Sequence, residues 1–210
     1  MRELWDETIR QRLEPFGILV NDTIAGRVRR YTELLLRWNR RINLTSITDP
    51  AEILERHFGE SFFAAQAVPI ERGSLVDVGS GAGFPGLALR ALLEGLRVTL
   101  IEPTTKKAVF LAEVCRELDF PDVEIFRGTL EEFSGPDCFD YVTARALGRS
   151  EELRAWSGRV LRAGGRLILW LGPAEMEDSR ADPSWAWGKE IPIPLSKQRF
   201  LLVGKVSATS

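Results

Sequence analysis

The first 72 residues place apolar side chains at the spacing of an α-helix. Four residues at this spacing predict a first helix: Leu4, Trp5, Ile9 and Leu13. A second helix follows Asn21, a favoured N-cap residue, and carries an apolar stripe along one face over 24–42. Asp49 and Pro50 predict the start of a third helix, because an acidic N-cap and a proline in the first turn both suit that position. The pattern therefore predicts a helical extension over residues 1–72.

From residue 73 onward, short apolar runs alternate with helical stretches. The runs that predict buried parallel strands are 75–78, 98–101, 123–126, 139–143 and 166–171. The helical patterns between them lie at 85–94, 104–118 and 150–161. Strands that alternate with helices are typical of a doubly wound α/β sheet.

The end of the chain breaks this alternation. The apolar runs 191–194 and 200–203 are joined by a short link, which predicts an antiparallel pair at the edge of the sheet. We therefore expect one α/β domain over 73–206 after the helical extension, and a frayed tail over 207–210.

Composition places the chain among ordinary globular proteins, with 44% apolar and 28% charged residues. Cys115 and Cys138 stand singly, without the paired spacing of a zinc or redox site, so we expect no metal. No apolar run approaches the ~20 residues of a membrane span, and the N-terminus is too polar for a signal peptide. We expect a cytoplasmic monomer that does not bind membranes.

A glycine-rich turn follows the first predicted strand. Gly79, Gly81 and Gly83 alternate there, so a ligand can lie directly against the backbone. The segment 81–86 fits the pattern GxGxxG, and Glu102 follows about twenty residues later, at the end of the second strand, where a ribose-binding carboxylate belongs. This combination predicts an adenosine-type ligand.

Two features favour S-adenosylmethionine over a nicotinamide dinucleotide. Asp77 precedes the glycines, and a carboxylate there repels a pyrophosphate but can hold a cationic ligand or an amino group through water. The antiparallel C-terminal pair is common in methyltransferase sheets and unusual in dinucleotide domains. Two alternatives stay open: an NAD(P)-dependent oxidoreductase, and a non-catalytic nucleotide-binding factor in ribosome assembly.

The segment DVGSGAGFPGLALR over 77–90 carries a family resemblance, together with Asn43-Leu44-Thr45, Arg56-His57 and Thr143-Ala144-Arg145-Ala146. Over about residues 25–205, the chain resembles the bacterial ribosomal RNA small subunit methyltransferase G family, also called glucose-inhibited division protein B. The resemblance implies a Rossmann-like class I methyltransferase fold that uses S-adenosylmethionine. It also implies methyl transfer to N7 of one guanosine in 16S ribosomal RNA, either free or in the 30S subunit.

The resemblance also implies roles for individual residues. Those that match the family's cofactor site are Gly79 and Phe84 in the loop, Glu102 at the ribose, Leu130 and Glu131 at the adenine, and Arg145. The chain departs from the family at Glu60, where most members have Asp. It also diverges over 172–190, which puts any RNA contacts from that segment in doubt.

Guanine N7 carries a lone pair and no proton, so its methylation needs positioning and no general base. Arg145 ends the fourth strand, where open α/β sheets place ligands, and we expect it to be catalytic. Its guanidinium can donate to guanine O6, hold a phosphate or fix the cofactor. The alternative is a structural ion pair. His57 is the only histidine, and we expect it to tie the helical extension to the cofactor site.

The net charge of −2 argues against an attraction of the whole protein to nucleic acid. A local basic face is nevertheless predicted over 25–42, where six arginines and one glutamate give a net charge of +5. A run of charged residues is often only a solvated helix face, but the excess of arginine over glutamate here favours contact with RNA. The predicted RNA-binding residues are Arg27, Arg30, Arg37, Arg41 and Arg199.

Overall fold

The computed structural model describes residues 2–135, 138–145, 148 and 150–207. Ala146 of the predicted Thr-Ala-Arg-Ala segment and residues 208–210 of the predicted tail lie outside the described residues. Within these ranges, no helix combines the length and the apolar character that crossing a lipid bilayer requires.

The N-terminal extension is helical, as predicted. Its elements are α1 (Arg2–Leu13) with a following 3-10 turn (Glu14–Phe16), α2 (Asp22–Asn39), α3 (Pro50–Ile53), a π-helical turn (Leu54–Gly59) and α4 (Glu60–Ala67). The Asn21 and Asp49 side chains cap α2 and α3, as expected from their residue types. The second helix ends before the predicted residue 42, because the Asn39 side chain accepts the backbone N–H groups of Leu44 and Thr45 and turns the chain.

In the described residues, eight strands form one sheet. They are β1 (Arg72–Val78), β2 (Gly95–Ile101), β3 (Val123–Phe126), β4 (Phe139–Arg145), β5 (Leu161–Leu171), β6 (Trp185–Trp187), β7 (Ile191–Pro192) and β8 (Phe200–Val206). Their order is β3-β2-β1-β4-β5-β8-β6, and β7 also pairs with β8. The first five strands are parallel, and β8 runs antiparallel to β5, β6 and β7. The doubly wound sheet with an antiparallel C-terminal part is confirmed.

The helices that connect the strands, over the part of the chain that the structure describes, are α5 (Gly86–Leu92), α6 (Thr105–Leu118), α7 (Ser150–Val160) and α8 (Pro173–Arg180). The sequence did not predict α8 and β6, which lie in the segment that diverges from the family. Pro173 in the first turn and Glu175, whose carboxylate accepts the Gly172 N–H, are nevertheless ordinary signals of a helix start.

The extension and the sheet share one apolar core. Tyr31 and Phe58 of the extension are fully buried in the same cluster as Leu87 of α5, Leu111 of α6 and Ile168 of β5. A second cluster lies on the opposite face of the sheet, under α7 and α8. The extension is therefore fixed against the side of the sheet that carries the glycine-rich loop.

Candidate active site

The glycine-rich loop begins where β1 ends. Gly79, Gly81 and Gly83 have φ angles of 69°, 58° and 88°, the left-handed region that favours glycine. A Cβ atom on Gly83 would lie 2.1 Å from the hydroxyl oxygen of Tyr31, so packing requires glycine there as well. A Cβ atom on Gly81 would meet only the Gly79 carbonyl oxygen, at 3.8 Å. The loop backbone at Gly81 is therefore open to a ligand.

Glu102 follows β2 and lies beside this loop. Its Oε2 atom accepts the Gly81 N–H at 2.8 Å, and its Oε1 atom accepts the Thr104 N–H at 2.8 Å. A carboxylate next to an open glycine backbone fits an adenosine, whose ribose hydroxyl groups need an acceptor. These residues suit S-adenosylmethionine.

Asp77 is fully buried between β1, β4 and the start of α5. Its carboxylate accepts the Thr143 hydroxyl at 2.8 Å and the Gly86 N–H at 3.2 Å. Burial raises its pKa to about 6, against the opposing effect of these hydrogen bonds. A Cβ atom on Gly86 would lie 2.5 Å from that of Asp77. Asp77 therefore joins the loop to both strands, and its predicted cofactor contact stays a prediction.

Leu130 and Glu131 follow β3. Leu130 is buried with Ile101 and Val142 in the second apolar cluster, and Glu131 is exposed beside it. The adenine contacts that the family resemblance implies for these two residues stay predictions.

Phe84 joins the loop to the helical extension. Its ring stacks on Tyr31 of α2 at a centroid distance of 5.2 Å and on His57 of the π-helical turn at 4.6 Å. The Tyr31 hydroxyl also donates to the Ala82 carbonyl at 2.7 Å. Phe84 is only 5% exposed, so its ring packs in the core and fixes the loop against the helical extension. Sequence reasoning missed Tyr31, which is one of several apolar positions on the stripe of α2 and whose partners lie far along the chain.

The side chains of Arg145 and His57 are joined by a hydrogen bond. Arg145 donates to the Arg56 carbonyl at 2.8 Å and to His57 Nδ1 at 2.9 Å. Burial, and then the charges of Arg145 and Arg56, lower the pKa of His57 to about 3, so its ring is neutral at physiological pH. Since Nδ1 accepts, Nε2 carries the proton and donates to the Thr45 hydroxyl at 2.8 Å. His57 thus links the extension to the end of β4.

Arg145 lies at the centre of this end of the sheet. Its side chain is 19% exposed, its Nη1 atom is 4.0 Å from a Glu60 oxygen, and its guanidinium carbon is 5.8 Å from the Phe84 ring centroid. Burial lowers the pKa of Arg145, but Glu60 and Asp77 oppose that shift, and the group stays charged. Glu60 is itself buried and accepts two hydrogen bonds from Arg199.

The predicted RNA-binding arginines lie in three different settings. Arg27 donates to the Ala91 carbonyl and pairs with Glu94, and Arg30 donates to the Glu117 carbonyl. Arg27 thus connects α2 to the end of α5 and the turn after it, and Arg30 connects α2 to the last turn of α6. Arg37 and Arg41 are exposed at the C-terminal end of α2. The fifth arginine, Arg199, pairs with Glu60 near Arg145.

A cavity of about 360 Å³ opens beside Arg145. Arg56, Arg145 and Arg199 line it together with the carboxylates of Glu60 and Glu175, and we call it the basic cavity. Three cations against two anions leave it positive, which suits the phosphate of a nucleotide. In the part of the chain that the structure describes, no group of three or more His, Cys, Asp or Glu side chains could hold a metal ion.

Solved structures with the same fold include methyltransferases. A "SAM dependent methyltransferase" from Aquifex aeolicus superposes with a TM-score of 0.61 at 17% identity, over 76% of this chain and 94% of that one. The "Glycopeptide N-methyltransferase MtfA complexed with sinefungin" superposes with a TM-score of 0.61 at 13% identity, over 72% of this chain and 87% of that one. At these identities the likeness concerns the fold.

The sheet order, the glycine loop and the carboxylate after β2 define an S-adenosylmethionine-dependent methyltransferase. Residues 25–189 match the GidB family, described as rRNA small subunit methyltransferase G, and the chain belongs to that family. Relatives named "Ribosomal RNA small subunit methyltransferase G" include one from Xanthomonas axonopodis pv. citri, 36% identical over 85% of both chains. Another, from Alkaliphilus metalliredigens, is 31% identical over 93% of this chain and 88% of its own.

Proposed function

We propose that this protein transfers a methyl group from S-adenosylmethionine to N7 of a guanosine in 16S ribosomal RNA, by positioning and without a general base. The observation that carries the proposal is the state of His57 beside Arg145. Its pKa of about 3 keeps the ring neutral, and both ring nitrogens are engaged, Nδ1 by Arg145 and Nε2 by Thr45. A histidine with no available lone pair accepts no proton from a substrate, and guanine N7 has none to give.

The glycine loop and Glu102 are placed to hold the cofactor. Gly81 presents open backbone to a ligand, and Glu102 offers its carboxylate to the ribose. When bound, S-adenosylmethionine supplies a methyl group on a positively charged sulfur, which the N7 lone pair accepts while the sulfur keeps the electrons of the broken bond. The protein therefore has to fix the conformation of the loop. Asp77 contributes by accepting the Gly86 N–H, and Phe84 contributes by stacking on Tyr31.

Arg145 is the proposed catalytic residue. Its guanidinium is fixed by the Arg56 carbonyl and by His57 at the end of β4, next to the basic cavity. A fixed guanidinium can donate to guanine O6 or hold the phosphate of the target nucleotide. Either contact orients the base for attack, and orientation is the main demand of this reaction.

The RNA substrate is inferred from the family and from the distribution of charge. The relatives from Xanthomonas and Alkaliphilus carry ribosomal RNA in their names. Arg37 in the last turn of α2 and Arg41 just after the helix are exposed and add positive charge for RNA phosphates. The 30S subunit as substrate, a monomeric state and a cytoplasmic location stay predictions.

The test is transfer of labelled methyl groups to 16S RNA, both as naked RNA and in 30S particles from cells that lack the gene. We expect one labelled guanosine, identified as N7-methylguanosine by reduction and aniline cleavage of the RNA at that base. Label at another atom would contradict the N7 assignment. Binding of S-adenosylhomocysteine without any RNA labelling would favour the assembly factor, and tight NAD(H) binding alone would favour the oxidoreductase.

A further inference from the structure

A second cavity adjoins the basic cavity at the same end of the sheet. It has a volume of about 270 Å³ and lies between the ends of β4 and β5 and helices α7 and α8. Its walls are mostly apolar, and we call it the apolar cavity: Ala144, Leu153, Leu169 and Ala174 line it. Its volume is close to the ~300 Å³ at the lower end of small-molecule sites.

The two cavities share three lining residues, Trp170, Leu171 and Glu175. Trp170 is only 3% exposed, and its indole N–H donates to the Glu60 carbonyl at 2.9 Å, which fixes the ring. A positive cavity that meets an apolar one matches the parts of a single nucleotide, whose phosphate is anionic and whose base has apolar faces.

The polar side chains that line the apolar cavity are two carboxylates and the Ser150 hydroxyl, which donates to Asp178. Glu175 and Asp178 both line it. Asp178 is engaged by Ser150 and Arg154, which lower its pKa. The Oε2 atom of Glu175 accepts the N–H of Gly172, which fixes the direction of the carboxylate. Among the four bases, guanine presents two adjacent donors, N1–H and the N2 amino group, that match one carboxylate.

We propose that the apolar cavity is the slot for the target guanine and that Glu175 recognises its N1–H and N2 amino group, while the basic cavity takes the phosphate of the same nucleotide. This inference rests on the proposed guanosine methylation and adds the residue that selects the base. The target base enters unstacked from its RNA neighbours, as bases do in other enzymes that modify them.

The orientation follows from the geometry of guanine. N1 and N2 lie on the edge of the purine remote from N7, so a carboxylate on that edge leaves N7 accessible. Methylation puts a positive charge on the base and makes N1–H more acidic. The hydrogen bond to Glu175 therefore strengthens as the N7–carbon bond forms, and the contact favours the transition state over the bound substrate.

The experiment uses two RNAs that differ at the single guanosine methylated by the wild-type protein, one with guanosine and one with inosine. Inosine keeps N7, O6 and N1–H and lacks only the N2 amino group. We expect wild-type kcat/KM to be about 10- to 100-fold lower on the inosine RNA. Equal values on both RNAs would overturn the guanine slot. Absence of N7 methylation on both would overturn the proposed function and the slot with it.

Glu175→Gln tests the residue itself. The amide oxygen can still accept the Gly172 N–H, so the start of α8 and the melting temperature should be kept. We expect kcat/KM on guanosine RNA to fall about tenfold or more and the preference over inosine to approach one. Glu177→Gln is the matched control, because Glu177 lies on the same helix, is exposed and lines neither cavity. A Glu175→Gln variant with wild-type preference for guanosine would contradict the assignment.

Discussion

Arg145 donates from Nη2 to Nδ1 of His57 over 2.9 Å, and this bond sets the tautomer of the histidine and the direction of the guanidinium together. Burial, and then the permanent cation that faces the acceptor nitrogen, lower the pKa of His57 to about 3. The arginine proposed to be catalytic and the neutral histidine thus form one rigid unit at the end of β4. Its rigidity matters because the proposed reaction depends on position alone.

Arg145→Lys should reduce the methylation rate much more than cofactor affinity. Lysine keeps the charge but cannot donate to the Arg56 carbonyl and His57 in the same planar arrangement. We expect single-turnover rates to fall about 10²- to 10³-fold, with binding of S-adenosylhomocysteine by calorimetry within about threefold of wild type. Arg159→Lys, at an exposed position on α7, is the control. Wild-type turnover in Arg145→Lys would remove Arg145 from the reaction centre.

His57 predicts a specific pH dependence of stability. Its folded-state pKa of about 3 lies below the ordinary 6.5, so only the unfolded state gains its proton as the pH falls from 6.5 toward 3. The contribution of His57 to the unfolding free energy is complete above pH 6.5, and it decreases below that pH by up to about 1.4 kcal/mol per pH unit. The difference in unfolding free energy between wild type and His57→Gln should therefore narrow between pH 6.5 and about 4.5.

Urea denaturation at several pH values measures this difference. Thr45→Val removes the acceptor of His57 Nε2 but keeps the histidine, so this variant should keep the wild-type pH dependence. If the difference in unfolding free energy between wild type and His57→Gln does not change with pH, His57 is not buried as a neutral ring.

Glu102→Ala should act chiefly on cofactor binding. The substitution leaves the N–H groups of Gly81 and Thr104 without their acceptor and removes the carboxylate proposed for the ribose. We expect the Kd of S-adenosylhomocysteine to rise about 10- to 100-fold, since hydrogen bonds to charged groups contribute about 1.5–3 kcal/mol. The rate at saturating cofactor should change far less. Glu124→Ala, an exposed glutamate on β3, is the control, and an unchanged Kd in Glu102→Ala would contradict the ribose assignment.

Gly83→Ala should be destabilising, and Tyr31→Phe should relieve part of the effect. The new Cβ atom would lie 2.1 Å from the Tyr31 hydroxyl oxygen, at a φ angle of 88° that alanine rarely adopts. We expect Gly83→Ala to cost about 2–4 kcal/mol and Tyr31→Phe about 1 kcal/mol, because the latter removes the hydrogen bond to the Ala82 carbonyl. In a double-mutant cycle, the double variant should lose at least about 0.5 kcal/mol less unfolding free energy than the two single variants lose in sum. Additive costs would mean that the hydroxyl is not the obstacle.

Local signals account for the parts of the fold and site that the sequence predicted. The five parallel strands were predicted from apolar runs, which contain buried residues in β1, β2, β4 and β5 and are half-buried in β3. Glu102 reaches Gly81 because both follow the ends of adjacent strands. The stack of Tyr31, Phe84 and His57 has no such signal, because its members are distant in the chain and meet only when the extension folds onto the sheet. Helix α8 was missed because it is short and polar, and its residue Glu175 was missed with it.

The arginines of α2 and Arg41, which follows the helix, should separate into two classes on substitution. Arg37→Gln and Arg41→Gln should weaken RNA binding without changing the melting temperature, because both side chains are exposed. Removal of one arginine that binds a phosphate should reduce the slope of log K against log salt by about 0.7 to 0.9. Arg27→Gln and Arg30→Gln should instead lower the melting temperature by about 2–4 °C for each kcal/mol of destabilisation, since these side chains bond to the Ala91 and Glu117 carbonyls. Unchanged RNA affinity and salt slope in the Arg37→Gln/Arg41→Gln double variant would mean that the end of α2 does not touch the RNA.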